Sequence, residues 1–374
     1  MKELLNRLLL LPILISTFSL SINASDIEYS ESVMQVEFAE EELNVKELIL
    51  DHLADSYEWH VWSTGKKHVA LSLPVILHSS KSGWHFFPSS KFHHGKDSYK
   101  NFRIASEGKY KGKIVELDDR SNEIRPLDLS ITKNAASLII SSIILVLIIL
   151  GVGRVMKKDP YKSHKGFVGL MEMFIIAIED EVVKSTIGKN YKLFSPFLLC
   201  LFFFIFINNL LGLIPFIPGG ANVTGNIAVT MVLAITTFLV VNLTGSKAYY
   251  KEIFWPDVPT WLKVPFPLMP IIEVVGMFTK PFALMIRLFA NIMAGHAIVL
   301  GLTCLVFVTV NLGTAINSSM SALSVLFTVF IDLVELLVAF IQAYVFTLLS
   351  AVFIGLAQHE HIDTESHIIK GRLE

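Results

Sequence analysis

An all-α polytopic membrane protein, with about five transmembrane helices and a small extramembrane N-terminal region, is the fold class this sequence predicts. Three observations carry it. Of the 374 residues 53% are hydrophobic and only 17% charged, with a mean hydropathy of +0.58, a balance typical of membrane proteins. Apolar stretches recur at the length needed to cross a hydrocarbon core about 30 Å thick. Basic residues gather in alternate loops, the asymmetry that orients membrane helices. The net charge of -2 gives no basic surface for nucleic acid.

Residues 1–24 read as an export signal. Lys2 and Arg7 give a basic start, Leu8–Ile15 an apolar centre, and Ser21–Ala24 a small-residue end. Cleavage after Ala24 is expected, with an uncleaved anchor helix as the alternative. Residues 25–133 follow as a polar extracytoplasmic region. Its early part is acidic (Glu37, Glu40, Glu41, Glu42, Glu47) and suits a helix. Strand-like pieces come later, Val69–Ile76 and Trp84–Phe87, between Gly and Ser breaks.

Residues 134–360 hold the apolar stretches Ala135–Val152, Phe194–Phe216 and Ile227–Leu243, and two longer ones inside Leu268–Leu312 and Ala322–Leu356. The last two exceed a simple span, so they are expected to be tilted, kinked at Pro270 or Pro281, or extended beyond the bilayer. Arg154–Lys165 is strongly basic, and Lys247, Lys251 and Lys263 mark a second basic loop. Both are expected in the cytoplasm, with the uncharged Pro218–Thr224 and Gly313–Ser319 outside. The tail 361–374, with Lys370 and Arg372, is then cytoplasmic. Phe167–Ser185 fits an amphipathic helix at the cytoplasmic surface.

The last two stretches carry the chemistry. The first holds Glu273, Lys280, Arg287, Asn291 and His296; the second holds Asp332, Glu335 and Gln342. A guanidinium cannot shed its charge at ordinary pH, and at bilayer depth it costs about 2.5–3.5 kcal/mol even on the mildest scale. Such a residue is expected to face a cavity, a partner or water. At about 100° per residue, Glu273, Arg287 and Asn291 share one side, with Glu273 about 21 Å from Arg287 along the axis. His296 falls roughly opposite Arg287, toward the protein interior. With the two stretches antiparallel, His296 and Glu335 meet at similar height, and Gln342 approaches Arg287 or Asn291. Lys280-Pro281 reads as interfacial or structural. The polar groups thus form two clusters at different depths, separated by Arg287.

These residues resemble subunit a of the F-type rotary ATP synthase over about residues 135–360. The matching pieces are Phe206–Pro215, Asn222–Thr224, Glu273–Val275 leading to Lys280-Pro281, Arg287–Asn291 with Gly295, and Gln342–Phe346. The resemblance implies that Arg287 is the essential stator arginine and Glu273 the acid of the cytoplasmic half-channel. Asn291 and Gln342 surround the arginine; His296 and Glu335 form an interacting pair in the outer half-channel, with Asp332 at its entrance. The two long helices become the rotor-facing hairpin. The implied partners are the c-ring with its membrane-buried carboxylates, the subunit b stator stalk, the rest of the ATP synthase and the lipid of the bacterial inner membrane. In many bacterial members the acid lies on the first helix and the imidazole on the second; here the order is reversed, as in mitochondrial members. The exchange keeps one acid and one base together and leaves open which of them titrates.

The competing class is a secondary ion-coupled transporter with midplane charges, which calls for an inverted repeat; none is visible. No glycine-rich phosphate loop occurs, so the chain itself is not expected to be catalytic. The histidines at 52, 60, 68, 78, 85, 93 and 94 fit no zinc spacing. Cys200 and Cys304 lie in separate apolar runs and read as packed thiols. No cofactor or metal is called for.

Overall fold

The computed structural model describes residues 54–358 apart from 65–66, 94, 96, 107, 118–122, 159–162, 215–218 and 256–267. The export signal, the acidic stretch and the C-terminal tail lie outside the described residues.

The N-terminal region is built of short antiparallel strands: β1 (Glu58–Thr64), β2 (Lys67–Ser72), β3 (Pro74–Ser79), β4 (Gly83–Pro88), β5 (Phe102–Ile104), β6 (Ile114–Leu117), β7 (Glu123–Ile124) and β8 (Leu127–Asp128). Among the described residues they form sheets of order β1-β2, β4-β3-β8 and β5-β6-β7. Period-two patterning decides which face is inward: Val75, Leu77 and Ser79 of β3 are buried. Val75 and Leu77 join Tyr57, Phe87, Phe92, Phe102 and Ile114 in a small aromatic-rich core. The strand expected over Val69–Ile76 is split at Leu73, whose N–H is bonded to Ser89 Oγ at 3.1 Å. Pro74 opens the next strand, where a missing N–H is tolerated.

This region runs into α1 (Lys133–Lys158) without a linker. The N–H groups at the start of α1 find acceptors in the domain: Lys133 N bonds Ser56 O at 2.8 Å and Asn134 N bonds Asp55 Oδ1 at 3.0 Å. Those are orphan donors of a helix N-terminus, so the domain caps the helix.

The helices that follow are α2 (Gly166–Ala177, prolonged by a π-helical turn over Ile178–Lys184), α3 (Tyr191–Leu213), α4 (Ile227–Leu243), α5 (Lys247–Phe254), α6 (Leu268–Val308) and α7 (Thr314–Gln358). Four helical runs among the described residues are long and apolar enough to span a bilayer, and a fifth counts if α4 and α5, bent by 104°, are taken as one span. One of the four, Gly166–Leu213, is not a straight rod. Phe174 lies 6.3 Å from the ring of Phe202 and 6.0 Å from that of Phe206, whereas 28 residues of straight helix would part them by about 42 Å. The chain therefore reverses near Gly188, whose φ of 71° and ψ of -129° lie in territory essentially reserved for glycine. The helix expected over Phe167–Ser185 thus exists, and it packs into the bundle: Ile178, Val182 and Val183 are buried, and Phe174 also meets Phe340 of α7.

The bundle core is dominated by α3, where Leu198–Ile205 are at most 2% exposed. Ser246 N, at the entry to α5, bonds Ala357 O at 2.8 Å, so the loop after α4 and the end of α7 share one end of the bundle. α6 has 41 residues and α7 has 45, about 60 and 68 Å of helix. Both are about twice the length that a bilayer needs when crossed upright.

Candidate ion-transfer site on the α6–α7 hairpin

Burial changes over a narrow arc of α6. Leu284, Leu288 and Ile292 are at most 4% exposed, while Arg287 and Asn291, each about one turn from a buried leucine, are exposed at the edge of that stripe. Ile272 and Ile286 are exposed as well, so apolar side chains share the surface next to the guanidinium. Among the described residues Arg287 makes no hydrogen bond or ion pair.

Two side-chain contacts tie α6 to α7, both on the C-terminal side of Arg287 along α6. Asn291 Nδ2 donates to Gln342 Oε1 at 2.8 Å. His296 Nδ1 lies 3.5 Å from Glu335 Oε1, long for a hydrogen bond, and that oxygen has no hydrogen-bond partner among the described residues. Glu335 and Gln342 are buried. The approach depends on Gly295: a Cβ there would fall 2.7 Å from Glu335 Oε1. Gly212, at the end of α3, leaves room on the other side, its Cβ position being 3.7 Å from His296 Nε2. The imidazole therefore sits between α3 and α7.

The remaining predicted residues are not joined to these pairs. Asp332 is exposed on α7, one turn before Glu335. Glu273 is half-buried in the first turns of α6, near Tyr249 of α5. Lys280 does not pair with Glu273; its Nζ lies 5.8 Å from the centre of the Phe353 ring. The hairpin thus separates one group of ionisable residues near Glu273 from another at His296 and Glu335, with Arg287 between them.

The structure adds residues that the reading of buried charges passed over. Asn208 and Asn209 on α3 are 1% and 3% exposed. Asn209 Nδ2 bonds Ala339 O of α7 at 3.1 Å, and both amides leave Oδ1 without a partner, as does Gln342 its Nε2. Unmet polar atoms at the α3–α7 contact are costly in an apolar interior and suit ordered water or a transferred ion. Their signal was present in the sequence as two consecutive amides inside an apolar run.

A family profile described as ATP synthase A chain matches residues 136–355, the region that contains every residue of this site. A second profile, described as a domain of unknown function (DUF8433), matches residues 48–134. Subunit a of the ATP synthase of Chloroherpeton thalassium is 43% identical over 251 residues, covering 66% of this chain and 72% of the relative. ATP synthase subunit a 2 of Chlorobaculum tepidum is 41% identical over 252 residues, covering 66% and 68%. ATP synthase subunit a of Myxococcus xanthus is 40% identical over 249 residues, covering 64% and 78%. With the helical bundle and the match over most of its membrane region, this chain belongs to the family of subunit a of the F-type ATP synthase, multi-pass proteins of the enzyme's membrane sector.

Proposed function

We propose that this chain is the stator ion-channel subunit of its ATP synthase, offering two offset proton half-channels to a rotating c-ring. The observation that carries the reading is the split on the α6–α7 hairpin: an acid–imidazole contact on one side of Arg287, an acid on the other, and the guanidinium itself exposed between them. A continuous polar file would leak; a fixed cation at the break repels a hopping proton.

Protons enter from outside past Asp332 and the Glu335–His296 pair and neutralise a rotor carboxylate. In that form the carboxylate crosses lipid at low cost, which its ionised form cannot do. After nearly a full turn it releases the proton toward Glu273 and the cytoplasm. Arg287 then favours the ionised carboxylate as it passes. Asn291 and Gln342, bonded to one another, hold the hairpin beside the arginine. Each charge moved through 100 mV supplies about 2.3 kcal/mol, so several steps accumulate per ATP, whose chemistry belongs to other subunits. In this reading the protein lies in a bacterial inner membrane, N-terminus outside and C-terminus in the cytoplasm, with the subunit b stalk holding it against rotation.

The test is Arg287→Ala in inverted membrane vesicles. ATP-driven proton pumping is expected to vanish while the complex still assembles; normal pumping by the assembled variant overturns the reading.

A further inference from the structure

The β4-β3-β8 sheet has two unlike faces. One carries Val75, Leu77 and Phe87 into the domain core. Register determines the other. Phe86 lies opposite Ile76 and Trp84 opposite His78; His78 in turn lies opposite Leu127. Bonds from Leu129 N to Ile76 O at 2.9 Å and from Ile131 N to Pro74 O at 3.1 Å carry the β3 pairing onward. Strand alternation then places the rows Phe86–Ile76–Leu129 and Trp84–His78–Leu127 on the outer face. Phe86 is 68% exposed, Leu127 57%, Trp84 52% and Leu129 45%. Trp84 stacks on Phe86 with ring centres 6.2 Å apart. These two rows contain no Lys, Arg, Asp or Glu.

We infer that this face rests on the lipid interface beside the N-terminal end of α1. The first reason is continuity. Ile131, next on the same face and two residues before α1, packs against the apolar cluster that holds Trp59 and Leu73 of the β region together with Ala136 and Leu138 of α1, so the outer row of the sheet ends at the membrane bundle. Leu127 is six residues before Lys133, where α1 begins, and lies at most about 20 Å from the start of the span. The second reason is size. Three strands about 4.8 Å apart, with same-face residues about 6.8 Å apart, make a patch of about 300 Å² for three rows. A stable protein interface takes about 800 Å² from each partner. The third reason is chemistry: an uncharged patch with Trp and Phe at its edge matches the aromatic belt of a membrane interface. The domain is thus seated on the bilayer and fixes the first turn of α1 relative to it.

The test uses the full chain in the assembled complex, reconstituted into liposomes. Phe86→Cys and Leu127→Cys are labelled with an environment-sensitive fluorophore; the native Cys200 and Cys304 are buried. Lys109→Cys, in the exposed turn between β5 and β6, is the comparison. Lipids brominated high on the acyl chain are expected to quench positions 86 and 127 about twofold more than position 109, with iodide quenching in the reverse order. Equal quenching of all three by iodide, with none by bromolipid, overturns the inference. Labels at 86 and 127 shielded from both quenchers also overturn it, and indicate a protein cover. If the cysteine variants do not fold, the same lipids are applied to the wild type and to Trp84→Phe. Bromolipid quenching of the emission that is lost in Trp84→Phe supports lipid contact; its absence refutes it.

Discussion

Glu335 is a carboxyl group held at the centre of a helix bundle by what its neighbours lack. Gly295 offers it space, since any Cβ at that position would stand 2.7 Å from its oxygen. A Cβ at Gly212 would meet His296 Nε2 at 3.7 Å, an ordinary contact. Gly295 is therefore the residue that permits the acid–imidazole contact, by absence of a side chain. Gly295→Ala is expected to push Glu335 off His296, with a destabilisation of about 1–3 kcal/mol from overpacking. Passive proton conduction through the membrane sector is expected to fall severalfold. Glu335→Gln keeps the shape and removes the carboxylate, so conduction is expected to fall without loss of assembly. Conduction equal to wild type in Glu335→Gln membranes counts against an outer relay through this pair.

Among the elements, α6 and α7 matter for their length. Helices of about 60 and 68 Å tilt steeply or overshoot the bilayer, and each carries exposed apolar side chains over many turns: Phe282 and Ile286 on α6, Val329, Phe330 and Leu333 on α7. Such side chains suit lipid or a second membrane assembly equally. Pro281 sits inside α6, where membrane helices tolerate proline because neighbouring groups satisfy the freed carbonyl. The reversal between α2 and α3 depends on a single residue. Gly188→Ala places a side chain at φ 71°, ψ -129°, which costs about 1–3 kcal/mol. A lower yield of assembled complex and a lower melting temperature are expected, whereas wild-type values show that the turn adapts.

At the scale of the whole molecule, the described residues form two cores, one in the β region and one in the helical bundle. They meet at the start of α1, where Trp59 and Leu73 join the bundle's cluster. Tyr57 belongs to the smaller core and donates to Asp128 Oδ2 at 2.5 Å. Burial first, then the negative charge of Asp128, raises its phenol pKa well above the ordinary 10.0. A raised pKa in the folded state means that the stability it carries is intact below pH 10. That stability is lost as pH climbs from 10 toward the folded value, because the unfolded chain ionises first. The N-terminal domain is therefore expected to become protease-sensitive above pH 10 ahead of the bundle, and Tyr57→Phe to abolish this difference in onset. Simultaneous cleavage of both regions at high pH in the wild type contradicts two separable cores.

Hydropathy, loop charge and the rarity of ions in lipid were enough to read from the sequence a multi-spanning membrane chain, the two long helices and the eight polar or ionisable residues on them. These signals are local: each depends on the cost of moving one side chain or one helix between water and lipid. The phase and rise of a 3.6-residue helix brought His296 to the height of Glu335 and Gln342 to either Arg287 or Asn291, because helix geometry turns spacing into direction; the tertiary structure has Gln342 on Asn291. Tertiary structure alone decided the rest. Nothing in the periodicity of Phe167–Ser185 said that it would fold back onto α3 and α7, since a glycine permits a reversal but does not compel one. The burial of Asn208 and Asn209 against α7, and the apolar outer face of the β4-β3-β8 sheet, depend on which segments become neighbours. That is set by the summed packing of distant residues, which a linear pattern does not contain.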